Sequence, residues 1–434
     1  MRIILRKFEK RMQHSKILFL MVLVILDLCL SCPFLGSLKL CKPVSAKVSS
    51  KLKQEQSESN QLPVVCTLRK DGVLLINGKP KLPYGFYIST GHTGDMRVRC
   101  VEAIHAIGGN TIHIEGPWHE DTRFLDLALK YNMMVIAGHT ETEEKLDRVR
   151  KFKDHSAIVA WTIYDDANTK SKISHLDKMN RKIKAIADKR LTFIPLGMQS
   201  KEVIVPDSGF FNCSDIVGWE NYPIACPGAA NPTLSATELQ MSAIQAKAGL
   251  FHRPVWILPQ TFAWPGGRIP TGKEYRNLCY VGLINRARGV MPWSIYYRGD
   301  SEEIRARKKK EGKPYWQEWY LPDHQELWQT CKVVGQEIKE LTPFLLDGEY
   351  HKLSNSKQFS AALWKWKHQQ VVIIASIDSE KRQKIKIDYP FDDVPFSRLF
   401  NNWNSDKLKM NIGKSGIVGE IEPGEVLIFR SVKK

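Results

Sequence analysis

Two adjacent acids, Asp165 and Asp166, close the run IVAWTIYDDAN at 158–168. Side-by-side carboxylates suit proton transfer, because like charges at that distance raise one pKa, as a general acid at neutral pH requires. The apolar run at 158–161 leads into the pair, and helical spacing follows at 172–189. Acids just past a strand and before a helix are placed as a βα barrel presents its catalytic groups. The plainer reading is an Asp that caps the following helix. It accounts for one of the two acids more readily than for both.

The elements that would position such a pair alternate along the chain. Strand signals at 83–88, 110–115, 133–137, 158–162, 192–196, 215–219, 255–259 and 289–295 are separated by helical spacing at 95–107, 122–131, 141–152, 172–189, 235–248 and 273–286. A last helix is expected at 325–341, while 199–214 shows no helical period. Eight units over roughly 260 residues predict an α/β fold of the (β/α)8 TIM-barrel type. An open doubly wound sheet is the alternative, but no GxGxxG follows the first strand. Before the barrel, 73–83 reads as a hairpin turning at Asn77-Gly78 and plugging its bottom. After it, short alternating segments at 359–430 predict a small antiparallel β-sandwich. Trp364 and Trp366 lie two apart on one face of that sandwich, read as core in preference to a sugar platform.

Barrel function sits at the C-terminal strand ends. In order these carry Tyr87 and His92, Glu115 and His119, His139, Asp165 and Asp166, Gln199, Glu220 and Tyr222, Gln260 and Trp264, then Trp293 and Tyr296. Carboxylates for protons, amides for hydroxyls and rings for C–H faces make the inventory of a carbohydrate site. His92, His119 and His139 raise metal hydrolysis as a competitor. There is no HxH pair on the first strand and no ligand-like spacing, so neither a metal nor any other cofactor is expected. An insertion at 298–324 follows the eighth strand. Its RARKKK at 305–310 precedes Tyr315, Trp316 and Trp319, which suits either a sugar-stacking lid that meets an acidic glycan or a solvated loop packed on the rim.

The net charge of +18 raises nucleic acid as a partner, but the cations are dispersed and no nucleic-acid-binding motif accompanies them. A solvated basic surface is the reading, with no nucleic-acid partner. The nine Cys form no CxxC pair beside a His; Cys213 and Cys226 flank a strand and are read equally as a disulfide or as two thiols. A basic start at 1–16 and an apolar run at 17–30 predict export, with residues 1–35 as a signal peptide or lipoprotein signal. LCLSC at 28–32 loosely matches a lipobox ending at Cys32, and Val44-Ser45-Ala46 is the competing cleavage site. Membrane anchoring, where it occurs, would run through the N-terminus alone. Residues 36–62 read as a flexible linker, 63–345 as the barrel and 346–434 as the sandwich.

The blocks GFYIST, GGNTIHIEG, SAIVAWTIYDDAN, DIVGWENYPI, PVWILPQTFAW and ARGVMPWSIYY resemble, in order and spacing, exported bacterial glycoside hydrolases of the clan A barrel type. The resemblance covers about 73–343 and implies a glycosidase acting on an oligo- or polysaccharide. It implies that Asp166 is the general acid/base and Asp165 its partner. At the family's strand-seven nucleophile position this chain carries Gln260, and an amide cannot attack an anomeric carbon. Three explanations follow. A 2-acetamido substrate supplies its own nucleophile, steadied by the Asp165–Asp166 pair; Glu220, about 10 Å away at ~4.8 Å per strand, is the partner carboxylate; or the barrel binds glycan without turnover.

Overall fold

Segments such as Ile158–Thr162 are buried at every position and apolar in the first four, because a parallel strand in a barrel is covered on both faces. The computed structural model describes residues 64–432 apart from 90–93, 117, 119–120, 168–171, 198–207, 227–233, 357, 392–394 and 401–409. His92, His119, Gln199 and the N-terminal signal, linker and lipobox all lie outside the described residues. Among the described residues no helix is long and apolar enough to cross a membrane.

Seven parallel strands form the wall: β4 (Gly85–Ile88), β5 (Thr111–Ile114), β6 (Met134–Ala137), β7 (Ile158–Thr162), β8 (Leu191–Leu196), β9 (Ile216–Asn221) and β10 (Val255–Pro259), hydrogen-bonded in chain order. Residues 289–295 supply the eighth. Val290 bridges both Tyr84 and Ile257, with Val290 N donating to Pro83 O (3.0 Å) and Met291 N to Ile257 O (2.9 Å). That one segment therefore joins the two edge strands, and the ring closes.

Before the wall, β1 (Cys66–Leu68), β2 (Leu74–Ile76) and β3 (Lys79–Lys81) form an antiparallel plug. Its turn has Asn77 at φ 48° and Gly78 at φ 73°, left-handed values that these two residues tolerate. Cys66 and Leu74 enter the barrel interior beside Tyr87, Val159, Phe193, Trp256 and Met291. Helices α1 (Gly94–Ala106), α2 (Arg123–Lys130), α3 (Leu146–Phe152) and α4 (Ile173–Ile186) follow β4 to β7, and α5 (Leu234–Gly249) and α6 (Gly272–Ile284) follow β9 and β10, while the described residues between β8 and β9 hold only a 3-10 turn at Ser208–Asn212. The insertion after strand eight is not a bare loop. It contains β11 (Tyr296–Tyr297), α7 (Glu302–Lys310) and β12 (Trp319–Tyr320), with β11 and β12 paired antiparallel.

The last helix, α8 (Gln325–Asp347), runs past the boundary expected between 345 and 346, and the first sandwich strand, β13 (Glu349–Asn355), starts beyond it. The sandwich is a five-stranded sheet containing β14 (Phe359–Trp366) and β15 (Gln369–Ser376), facing a three-stranded one. Their shared core includes Phe359, Leu363, Ile374, Ile385, Ile417 and Leu427. The other face of β14 and β15 packs on the barrel helices, so Trp364 and Trp366 are neither sandwich core nor platform. Trp364 stacks edge-on to Tyr350 (5.4 Å) and Trp366 to Phe344 of α8 (5.6 Å). Cys213 and Cys226 are free thiols, and Cys213 donates toward Gly209 O and Ile173 O.

Candidate active site

Strand alternation decides which side chains reach the barrel mouth, since residues i and i+2 share a face. Tyr87 and Ser89 point inward from the end of β4, as do His113 and Glu115 from β5, and Ser89 Oγ donates to Glu115 Oε2 at 2.7 Å. At the end of β7 the alternation stops. Asp166 adopts φ 49°, so the neighbouring acids do not point to opposite faces: both line one cavity. Gly197 makes this approach possible, because a Cβ there would sit 3.3 Å from the Asp166 Cα. Backbone bonds from Ala167 N to Pro195 O (3.0 Å) and Gly197 N to Ala167 O (3.1 Å) hold the turn.

The cavity, about 410 Å³, opens at the C-terminal end of the strands. Glu115, His139, Asp165, Asp166 and Glu220 line one side; Tyr222, Phe262, Trp264, Trp293 and Trp316 line the other. One oxygen each of Asp165, Asp166 and Glu220 lie within 4.8 Å of one another, and so do single ligand atoms of Glu115, His139 and Asp165. Either set is chemically able to take a cation, and the same closeness lets the acids share protons.

Burial sets the electrostatics. It pushes the Glu220 carboxyl well above the usual range, helped by the Asp166 charge and by a hydrogen bond with Asp166. Burial likewise raises Asp165, with Glu115 and Asp166 adding repulsion. Glu115 is pushed up to about 7 by burial, against the opposing Ser89 and Trp293 hydrogen bonds. Burial depresses His139 to about 4, leaving a neutral imidazole whose Nε2 has no hydrogen-bond partner and stands 4.0 Å from Asp165 Oδ2. Among the described residues no Lys or Arg lines the cavity. The folded protein therefore holds a Glu115 proton that the unfolded chain releases near 4.5, so stability falls as pH rises from 4.5 to about 7. Glu115 alone should contribute roughly 3 kcal/mol to that fall. Urea unfolding at pH 4.5 and 7.5 measures it, and Glu115→Gln should flatten the dependence; an equal slope in the variant would refute the assignment.

Nine expected site residues are described and gathered here or directly beneath: Asp165, Asp166, Glu220, Glu115, His139, Tyr222, Trp264 and Trp293 line the cavity, while Tyr87 lies fully buried below it, stacked on His113 at 3.9 Å. Two others point elsewhere. Tyr296 faces the insertion and donates to Glu318 Oε1 at 2.8 Å, leaving the mouth to Trp293 and Trp316. Gln260 is turned into the wall: its Oε1 accepts from Ile224 N (2.9 Å), and its Nε2 donates to Ile224 O (3.0 Å) and Phe262 O (2.9 Å). It is an amide clamp on the loop after β9. A carboxylate there would face two carbonyl oxygens. Gln260→Glu should cost roughly 3 kcal/mol of stability and create no turnover; a stable variant that gained activity would restore the reading of a lost nucleophile.

Sequence reasoning missed Ser89, Gly197, Phe262 and the buried His113, whose Nε2 is 2.7 Å from Thr162 Oγ1. The strand period was the available signal for His113 and Ser89. Of the insertion, Trp316 reaches the cavity and packs 5.8 Å from Trp264 and 5.6 Å from Phe262. The basic run lies outside the lining on the exposed α7, with Lys308 paired to Asp300 at 2.8 Å. The insertion thus brings an aromatic ring to the cavity while its cations stay outside the lining.

No family model and no curated protein matches the sequence. Solved structures do match by shape. A glycoside hydrolase gives a TM-score of 0.58 at 12% identity, covering 85% of this chain and 97% of its own. A glycoside hydrolase family 5 protein from Bacteroides vulgatus gives 0.57 at 12%, covering 85% and 94%. The trehalose-6-phosphate hydrolase of Bacillus licheniformis gives 0.52 at 12%, covering 81% and 99%. The fold of this chain is therefore that of barrel glycoside hydrolases, with a cavity of acids and aromatic rings at the end where such a barrel presents its chemistry.

Proposed function

We infer that the protein is a glycoside hydrolase acting on an oligo- or polysaccharide, with Asp166 and Glu220 as its reacting carboxylates. The observation that carries this is the gathering of one oxygen each of Asp165, Asp166 and Glu220 within 4.8 Å of one another at the foot of an aromatic wall. Burial holds the Glu220 carboxyl well above the usual carboxylate range, which keeps its proton at hand. Glu220 then protonates the departing oxygen, and Asp166 is the carboxylate that faces the sugar. This exchanges the role expected of Asp166 from sequence. Tyr222, Trp264, Trp293 and Trp316 offer ring faces for sugar C–H groups.

A second reading has its own support: the left-handed Asp166 brings both adjacent acids into one cavity, as a 2-acetamido substrate that supplies its own nucleophile would need. Incubation with a panel of aryl glycosides separates the two. Release from 2-acetamido sugars alone would favour substrate assistance; release from sugars lacking that group, with retained anomeric configuration by NMR, would favour the Asp166–Glu220 pair. No release, with glycan binding intact, would make this a binding barrel. Export is part of the proposal, resting on the basic-then-apolar residues 1–30, and an N-terminal truncation that fails to be secreted would test it.

A further inference from the structure

The opposite end of the barrel carries a second cavity, also about 410 Å³. It lies where the strands begin, between the plug turn at 70–72, the last turns of α5, the links at 252–254 and 285–288, and β13. Six basic side chains line it (Lys70, His252, Arg253, Arg286, Arg288 and Lys352) against one acid, Asp71.

Two of the six are already neutralised. Arg288 pairs with Asp71 at 2.9 Å, and Lys352 Nζ donates to Glu238 Oε1 (3.0 Å), Asn285 Oδ1 (2.8 Å) and Ser360 Oγ (2.9 Å). Among the described residues no carboxylate pairs with Lys70, His252, Arg253 or Arg286. Arg286 instead lies over the Tyr350 ring, 5.1 Å from its centroid, and Arg253 uses only its Nε, on Phe211 O. A further donor points the same way: Gln245 Nε2 on the α5 wall is buried and has no acceptor. The floor is kept open by small residues, Ala246 and Gly249; a Cβ on Gly249 would meet nothing within 4 Å. Positive charge converges on a cleft whose one acid, Asp71, is already paired with Arg288. A tetrahedral oxyanion would complete the set, offering several acceptor oxygens to guanidinium forks and an amide.

We propose that this cleft between the barrel bottom and the sandwich binds a sulfate or phosphate ester carried on a polysaccharide, which tethers the protein to an anionic polymer at the end away from its catalytic cavity. The oxyanion site stands on its own observations, and the polysaccharide as carrier rests on the glycosidase reading. Among the described residues the cavity at the other end has no Lys or Arg in its lining, so the charged groups of such a polymer would be held here while neutral segments are processed there.

The test is direct binding by calorimetry to the full chain at low salt, with inorganic phosphate, dextran sulfate, neutral dextran and a short DNA duplex as probes. Dextran sulfate should bind at least tenfold tighter per ester group than free phosphate, weakening with added salt. Neutral dextran should not compete at the cleft. Ala246→Glu places an acid at an exposed helical position that accepts it. Arg286→Asn keeps a residue that tolerates the φ of 64° found there. Each should weaken dextran sulfate at least tenfold while turnover of small aryl glycosides stays unchanged. Binding of phosphate alone would overturn the polymer assignment, and DNA binding as tight as dextran sulfate would overturn the polysaccharide assignment. Full dextran sulfate affinity in both folded variants would overturn the cleft itself. Because binding is read without turnover, a protein inactive on every glycoside leaves this outcome legible.

Discussion

Glu220→Gln should lower turnover about 10³-fold while leaving the protein as stable as before or more so at pH 7. The two effects have one cause. Glu220 is only 4% exposed and is crowded by Asp166, so ionising it in the fold is unfavourable, and its proton is available to a leaving group. The neutral amide relieves the crowding and cannot give up a proton to the substrate. Asp166→Asn should cause a comparable loss, and the double variant should lose little more, because the two groups act as a unit. In the wild type, activity should decline on the alkaline side as Glu220 deprotonates, at a pH above the ordinary carboxylate range. The amide variant should lose that limb. Full activity in Glu220→Gln, or a profile flat from pH 4 to 8, would remove Glu220 from the mechanism. A large loss of stability in the same variant would mark it as a structural group.

The alternation that predicts the barrel was readable because the wall strands, such as Ile158–Thr162, are short and largely apolar, and most are followed by helical spacing. Strand ends also located most of the cavity, since position along a parallel strand fixes which end of the barrel a residue occupies. Orientation was not readable. Gln260 sits at the expected height, yet its amide finds Ile224 and Phe262 backbone within 3.0 Å and turns into the wall. Tyr296 is one residue past the face it was assigned to, and its hydroxyl goes to Glu318. The nearness of Asp166 to Glu220 depends on the left-handed turn at Asp166 and on the absence of a Cβ at Gly197, neither of which has a periodic signature. The basic cleft at the barrel bottom was invisible for another reason. Lys70, Arg253, Arg286 and Lys352 come from separate segments, and their charge becomes local only when the barrel closes and β13 packs beneath it.

That packing rests on α6, whose residues are buried nearly all round because the sandwich covers the side that a barrel helix usually shows to water. Arg276 and Glu337 sit in this interface at 3% and 2% side-chain exposure, joined at 2.8 Å. Arg276 Nη1 also donates to Val426 O of the sandwich (2.7 Å), and Tyr280 donates its hydroxyl to Glu337 (2.9 Å). Asn277 Nδ2 adds a bond to Ser376 O at 2.6 Å. Removing Glu337 leaves a guanidinium charge in an apolar interface, and losses of roughly 3–5 kcal/mol are usual for breaking such a pair. Glu337→Ala should therefore lower stability by about that amount in urea unfolding. The loss should fall first on the sandwich contact, giving a low transition seen by Trp364 and Trp366 fluorescence before the barrel unfolds. Replacing both partners, as in Arg276→Met with Glu337→Leu, should recover much of the loss, because no charge is then left buried. The distinction from the catalytic pair is physical: at Glu337 a fixed cation stabilises the carboxylate, whereas at Glu220 a neighbouring acid opposes it. Stability should therefore fall when the first is neutralised and hold or rise when the second is. If Glu337→Ala unfolds at the wild-type urea concentration in one transition, the ion pair does not organise the interface, and the Trp366–Phe344 contact and the Tyr350 hydroxyl on Ile284 O carry it instead.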